Sequence, residues 1–198
     1  MKEFLKKYSY SCMKMFLNQF AIAIFGMVLA LAAGMAENDT LQIFCSVGAI
    51  LFYMFLLYAM TFEIGSKDKI SVDYGHIPYR PLTGLYMSLV ANSLNILLAI
   101  LVTVGFLFAD GSTISNIGGG ASVAALFLEG MYTGLLTIQV GGQPLNAMAW
   151  PYFAIIVPSL LTCTLAYFFG LKDIRFTRIL LARTPEELEK MREKKQKK

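Results

Sequence analysis

The chain has 198 residues, of which 57% are hydrophobic and only 15% charged, a composition too apolar for an ordinary soluble domain. Its net charge of +4 sits in blocks, without the patterned basic surface and reading elements that nucleic-acid binding requires. The three cysteines include no C-x-x-C, which argues against a disulfide framework and fits small packing residues.

All 17 Lys and Arg fall in three regions: Lys2, Lys6, Lys7 and Lys14; Lys67, Lys69 and Arg80; and a group beginning at Lys172. None occurs from 15 to 66 or from 81 to 171. Cationic loops stay on the cytoplasmic side of a membrane, so both termini and the central loop are expected there. The expected fold is an all-α integral membrane protein with four transmembrane helices. A re-entrant or interfacial helix lies between the third and fourth, and a basic cytoplasmic helix ends the chain. A cytoplasmic segment, 1–14, precedes a single transmembrane domain, 15–170, and a basic tail, 171–198. Size and short loops point to a cell membrane, a bacterial inner membrane.

The first predicted helix covers about 15–35. Its apolar run exceeds the ~7–15 residues of a signal-peptide core and is kept as a span. Gly26, Ala30 and Gly34 recur every four residues, a smooth ridge of the kind that lets helices approach closely in lipid. Asn18 and Gln19 are placed at its cytoplasmic end. Asp39 or Thr40 is the expected cap of the second helix, about 41–63, with Glu63 positioned to pair with Lys67 at spacing four.

The segment 64–81 is the most polar internal stretch, with turn signals at Gly75, Pro78 and Pro81, and is expected as a cytoplasmic loop. It holds the only histidine, His76, near Asp73, but no recognisable nucleophile turn accompanies them. Tyr79 and Arg80 read as interfacial anchors of the next helix.

A third helix is predicted over about 82–109, long enough that it must tilt or protrude. Gly84, Ser88, Ala91 or Asn92, Asn95, Ala99 and Thr103 form one small, polar stripe. An asparagine amide facing hydrocarbon would go unsatisfied, so the stripe faces protein or a polar path. Two readings follow: hydrogen-bonded glue between helices, or a lining for a polar solute or ion.

The glycine-led segment "NIGGGASVAALFLEGMYTGLL" is apolar enough to enter a bilayer. A full crossing would strand a cationic terminus outside, so a non-crossing helix is expected over about 121–138. Gly118, Gly119 and Gly120 would then precede it, either as a backbone nest for an anion or solute or as a flexible turn. Gly130 and Gly134 give a G-x-x-x-G packing face. Glu129 stands among Leu126, Phe127, Leu128 and Met131. At membrane depth such an acid is desolvated and functional, whereas at the outer surface it simply faces water.

The last span is expected at about 150–170, starting at Trp150–Pro151, with a bend at Pro158 and an aromatic belt of Trp150, Tyr152 and Tyr167. In the tail, Thr184, Pro185 and Glu187 form a helix-start signal.

For function, the leading expectation is a transport- or channel-type unit for a small solute or ion, acting as an oligomer, with Glu129, Asn92 and Asn95 lining a polar path. The alternative is a non-catalytic accessory, assembly or regulatory subunit that binds other membrane proteins. No H-E-x-x-H or G-x-S-x-G occurs, so an enzyme is not expected, nor is a cofactor or metal. Expected partners are anionic lipid headgroups at the tail and further copies or a partner membrane subunit.

Overall fold

A computed structural model of the chain describes residues 2–108 and 111–174. The described chain is mostly helical: α1 (Lys2–Met35), α2 (Asp39–Asp73), α3 (Thr83–Ala91), α4 (Ser93–Leu107), α5 (Thr113–Leu128), α6 (Thr133–Leu136), α7 (Pro151–Ala154) and α8 (Val157–Leu171). A 3-10 turn, Gly130–Tyr132, joins α5 to α6. A small antiparallel hairpin, β1 (Gln139–Val140) with β2 (Gln143–Pro144), turns through Gly141 and Gly142, whose φ values of 64° and 83° suit a tight glycine turn. Three stretches, α1, α2 and α7–α8 together, are long and apolar enough to cross a membrane. The pairs α3–α4 and α5–α6 pass the same test only as bent units, with bends of 59° and 87°.

Helix α2 shows how the packing departs from that of a soluble bundle. Along α2 the buried positions are Ser46, Ala49, Tyr53, Leu57, Thr61, Gly65 and Asp68, while Phe44, Leu51 and Phe55 point outward. Small and polar residues take much of this interface together with Tyr53 and Leu57, while other large side chains face outward, as expected where lipid gives no hydrophobic reason to bury them.

Contacts fix how the helices run. Lys7 and Tyr8 of α1 meet Asp68 of α2, and Gln19 meets Tyr53, so α1 and α2 are antiparallel. Thr162 of α8 reaches Met54, and Tyr167 reaches Asp68, so α8 runs with α2. The start of α3 lies against Tyr167, through Gly84, and against Phe4, through Tyr86. One end of the bundle therefore gathers Lys7, Lys67, Lys69, Arg80 and Lys172, drawn from all three cationic regions of the sequence. Helix α5 packs antiparallel on α4, with Gly118 against Gly105. It descends from the opposite end, breaks at Glu129, and α6 turns back so that Gly134 lies against Gln42 and Ser46 in the first turns of α2.

Several boundaries differ from the sequence-based expectations. Helix α1 starts at Lys2, not near 15, and α2 runs ten residues beyond Glu63 to Asp73, so most of 64–81 is helix and only Tyr74–Leu82 connects. A polar stretch there looks like a loop, yet a helix of this length simply outruns a hydrocarbon core about 30 Å thick. Asn38, not Asp39 or Thr40, caps α2, its side chain accepting from the Leu41 N–H at 2.9 Å. The expected continuous third helix is divided at Asn92. Helix α5 begins at Thr113 on a Ser112 cap, well before 121. Pro158 falls in the first turn of α8, and helix is interrupted at Ile155 and Ile156. Glu63 and Lys67 do pair, at 2.7 Å and exposed. Residues 175–198, including the expected tail helix, lie outside the described residues.

Gly105 and Gly118 are close enough that a Cβ on either would stand 2.5 Å from the other's Cα. Gly119, one position on, has open space. Opposite signs are expected: Gly118→Ala should destabilise by about 1–3 kcal/mol through overpacking, while Gly119→Ala should stabilise by about 0.5–1 kcal/mol by favouring helix. Thermal unfolding in detergent checks both.

Candidate functional site: a polar layer at two broken helices

Asn92 is the residue between α3 and α4. It is 3% exposed, and its side-chain amide donates to the Ser88 carbonyl at 2.9 Å and to Ser159 Oγ of α8 at 3.1 Å. Asn95 Nδ2 donates to Asn92 Oδ1 at 3.1 Å, and Ser159 Oγ donates to the Ile156 carbonyl at 2.8 Å. The stripe predicted from spacing thus faces inward and is tied together. It is partly glue, but Asn95 Oδ1 is buried with no hydrogen-bonding partner. Non-helical backbone at such depth persists only where protein or a polar cavity surrounds it.

Glu129 occupies the second break. Its backbone, at φ −121° and ψ 27°, leaves the helical region, and α5 ends at Leu128. Ala121, Ala125 and Glu129 lie on one buried face, and Glu129 is 5% exposed. No side chain among the described residues donates a hydrogen bond to its carboxylate. The Tyr132 hydroxyl is likewise buried without a partner, and the Tyr152 hydroxyl donates to the Asn146 carbonyl at 3.0 Å. Gln19 Nε2 donates to the Leu128 carbonyl, and the Tyr53 hydroxyl donates to Gln19 Oε1, each at 3.4 Å.

Register brings the two breaks to within about one turn of each other. With Gly105 opposite Gly118, the antiparallel count places Leu98 opposite Ala125, both in one apolar cluster. Three residues toward the start of α4, Asn95 falls opposite Leu128, with Glu129 the next residue. The three acid and amide residues singled out in the sequence therefore share a layer, Asn92 and Asn95 by direct contact and Glu129 by register. Tyr53, Gln19 and Ser159 join them, and none had been assigned a part. Gln19 had been placed at a helix end. Because α1 starts at Lys2, Gln19 lies within the bundle and is 3% exposed.

The glycine readings change. Gly118, Gly119 and Gly120 sit inside α5, more than a turn from its start, so their N–H groups are spent in the helical ladder and do not form a nest. Gly26, Ala30, Gly130 and Gly134 are buried within the chain itself: Gly26 on Met131, Gly130 on Ala23, Gly134 on α2. Gly34 is exposed, and Ala33 takes the buried position beside it. Tyr152 and Tyr167 are buried donors and not belt residues, whereas Trp150 is exposed.

A second polar centre escaped the sequence reading. The Asp68 carboxylate, on a residue 4% exposed, accepts from Tyr8 at 2.6 Å, Lys7 at 2.7 Å and Tyr167 at 2.8 Å, uniting α1, α2 and α8 at the cationic end. The signal was the continuation of the small-residue face of α2 through Thr61 and Gly65 to Asp68. His76 and Asp73 take no part in either centre: Asp73 ends α2 and His76 stacks on Tyr74 with ring centroids 6.4 Å apart. Among the described residues, no group of three or more His, Cys, Asp or Glu is placed to hold a metal. Comparison with protein-family profiles, with curated proteins and with solved structures gives no match.

Proposed function

We propose that the protein is a transport- or channel-type membrane unit that takes a cation, a proton or a cation-bearing solute at the layer of Asn92, Asn95 and Glu129. One observation carries this reading: two stretches of helix are broken within about one turn of each other in register, each at a polar residue, and Glu129, a residue 5% exposed, has no side-chain donor to its carboxylate among the described residues. Discontinuous helices that meet near half-depth are a recurrent way to build a substrate site in membrane transporters. The sign of the cargo follows from charge. No Lys, Arg or His occurs from 15 to 66 or from 81 to 171, so the only charge in the layer is negative, and an intramembrane acid marks a cation or proton path.

The topology that accompanies this reading has four crossings (α1, α2, α3–α4 and α7–α8) with α5–α6 dipping in and returning, and both termini cytoplasmic. The cationic end supports that orientation. Val140→Cys, in the hairpin, should react with a membrane-impermeant maleimide on intact cells, while Ile77→Cys, in the Tyr74–Leu82 connection, should react only after permeabilisation. Equal labelling of both on intact cells would sink the topology.

The function is tested in proteoliposomes loaded with a pH dye, under imposed Na⁺ or K⁺ gradients. Protein-dependent flux is expected, and Asn95→Ala should lower it. Absence of flux with all three ions, together with recovery of a stoichiometric membrane complex on purification, would favour the accessory-subunit reading instead.

A further inference from the structure

A long furrow opens on the outer surface of the bundle between the start of α1 and α3. Its volume is about 870 Å³, and its walls include Phe4, Leu82, Tyr86, Leu89, Val90 and Ser93, a size typical of small-molecule sites, about 300–1,000 Å³. A shallower continuation of about 320 Å³ shares Val90 and Ser93 and extends along Cys12 and Phe16 of α1. The lining is mostly apolar, with the hydroxyls of Thr83 and Ser93 among it; its one charge is Arg80, which enters at one end beside Tyr79, and no Asp or Glu contributes. Among the described residues no carboxylate forms an ion pair with Arg80; the two ion pairs present are Lys7–Asp68 and Lys67–Glu63.

We infer that this furrow is a binding site for an anionic phospholipid, with the headgroup phosphate on Arg80 and an acyl chain laid along α3 toward Ser93. The polarity of the groove matches that of the lipid. Arg80 belongs to the connection before α3, at the cationic end, where headgroups lie. From there the lining becomes hydrocarbon-like over the length of α3 and ends near the break at Asn92. A guanidinium presents a planar fork of donors suited to a phosphate, and Tyr79 and Tyr86 stand where aromatic rings favour the interface. The Phe4 ring contacts both Tyr8 and Tyr86, with centroids 5.0 Å and 6.2 Å away, so the wall is formed by packed side chains. The site is distinct from the Glu129 layer, and binding is read without any flux measurement.

Native mass spectrometry of the full-length protein released from detergent, titrated with phosphatidylglycerol or phosphatidylcholine, tests the inference. The wild-type protein should retain the anionic lipid about fivefold better, the preference that one interfacial cation gives. Arg80→Gln should abolish the preference and Arg80→Lys should keep part of it. Ser93→Trp, which fills the far end, should reduce occupancy by both lipids. Both positions are exposed, and unchanged melting temperatures confirm folding. Equal retention of the two lipids by the wild-type protein, or a preference that survives Arg80→Gln, overturns the site. Competition by inorganic phosphate at the lipid's own concentration would reduce it to an anion site and also overturn it. So would a dimer that forms in place of lipid binding.

Discussion

Glu129→Gln should lower ion flux at least about tenfold, equivalent to roughly 1.4 kcal/mol in the rate-limiting barrier, while leaving the melting temperature unchanged or higher. The two halves of this result belong together. Glu129 is 5% exposed and its carboxylate has no donor among the described side chains, a setting in which the charged form is costly to hold. Glutamine has nearly the same shape and no charge, so the folded state loses an expense and keeps its packing. A residue that serves only architecture would show the reverse, with stability falling on replacement. Gain of stability with loss of activity is the signature of a group held in an unfavourable setting for function. Glu129→Asp separates charge from reach: it keeps the acid but withdraws it by one methylene, and should retain part of the flux. Unchanged flux in Glu129→Gln would remove the cation reading of the layer.

The class of protein and the positions of its polar residues could be read from the chain because they follow from composition and spacing. Uncharged runs identify helices that can cross a membrane, and the stripe from Ser88 to Asn95 is inward-facing, as its spacing implied. The acid at 129 was recognisable because carboxylates are rare among such neighbours. Depth was not readable. Whether Glu129 faced water or protein depended on the 87° bend, and that bend depends on tertiary partners: Gly130 can lie on the Ala23 carbonyl only if α1 presents a surface without bulk there.

The break at Asn92 was hidden for a related reason. Its sequence context is uniformly helical, and the bend is held by a side-chain bond to Ser159, 67 positions away. The glycines misled in a different way. Spacing every four residues identifies close packing but not the partner: Gly26 lies on Met131 of the 3-10 turn, Gly130 on Ala23 of α1 and Gly134 on α2, all within the same chain. Asp68 was obscured by its neighbours, because Lys67 and Lys69 made the stretch look solvated. In a helix, however, adjacent residues point 100° apart, and a buried position between an exposed Lys67 and a half-buried Lys69 is ordinary geometry.

Removal of the Asp68 carboxylate should be the most destabilising single substitution at the cationic end. Asp68→Ala leaves two buried phenols, Tyr8 and Tyr167, without their acceptor, and each unmet buried donor costs about 1–3 kcal/mol. Lys7 adds less, since its side chain is 41% exposed and can return to water. A loss of about 3–5 kcal/mol is the expected sum, the range seen when one partner of a buried charged pair is deleted. Asp68→Asn should cost less than Asp68→Ala, because its amide oxygen still accepts from a phenol. Two native cysteines report on the consequence for access. Cys12 lies one turn from Tyr8 along α1, and Cys163 one turn from Tyr167 along α8, and both are buried. Cys12 borders the outer furrow, so the reading rests on Cys163, which is 0% exposed. If the Asp68 cluster holds this end of the bundle shut, Cys163 should be inert to a small maleimide in the wild-type protein and reactive in Asp68→Asn under conditions where both remain folded. Equal reactivity would mean that the cluster contributes stability alone. An increase confined to the variant would make Asp68 the group whose release opens the cationic end toward the Glu129 layer.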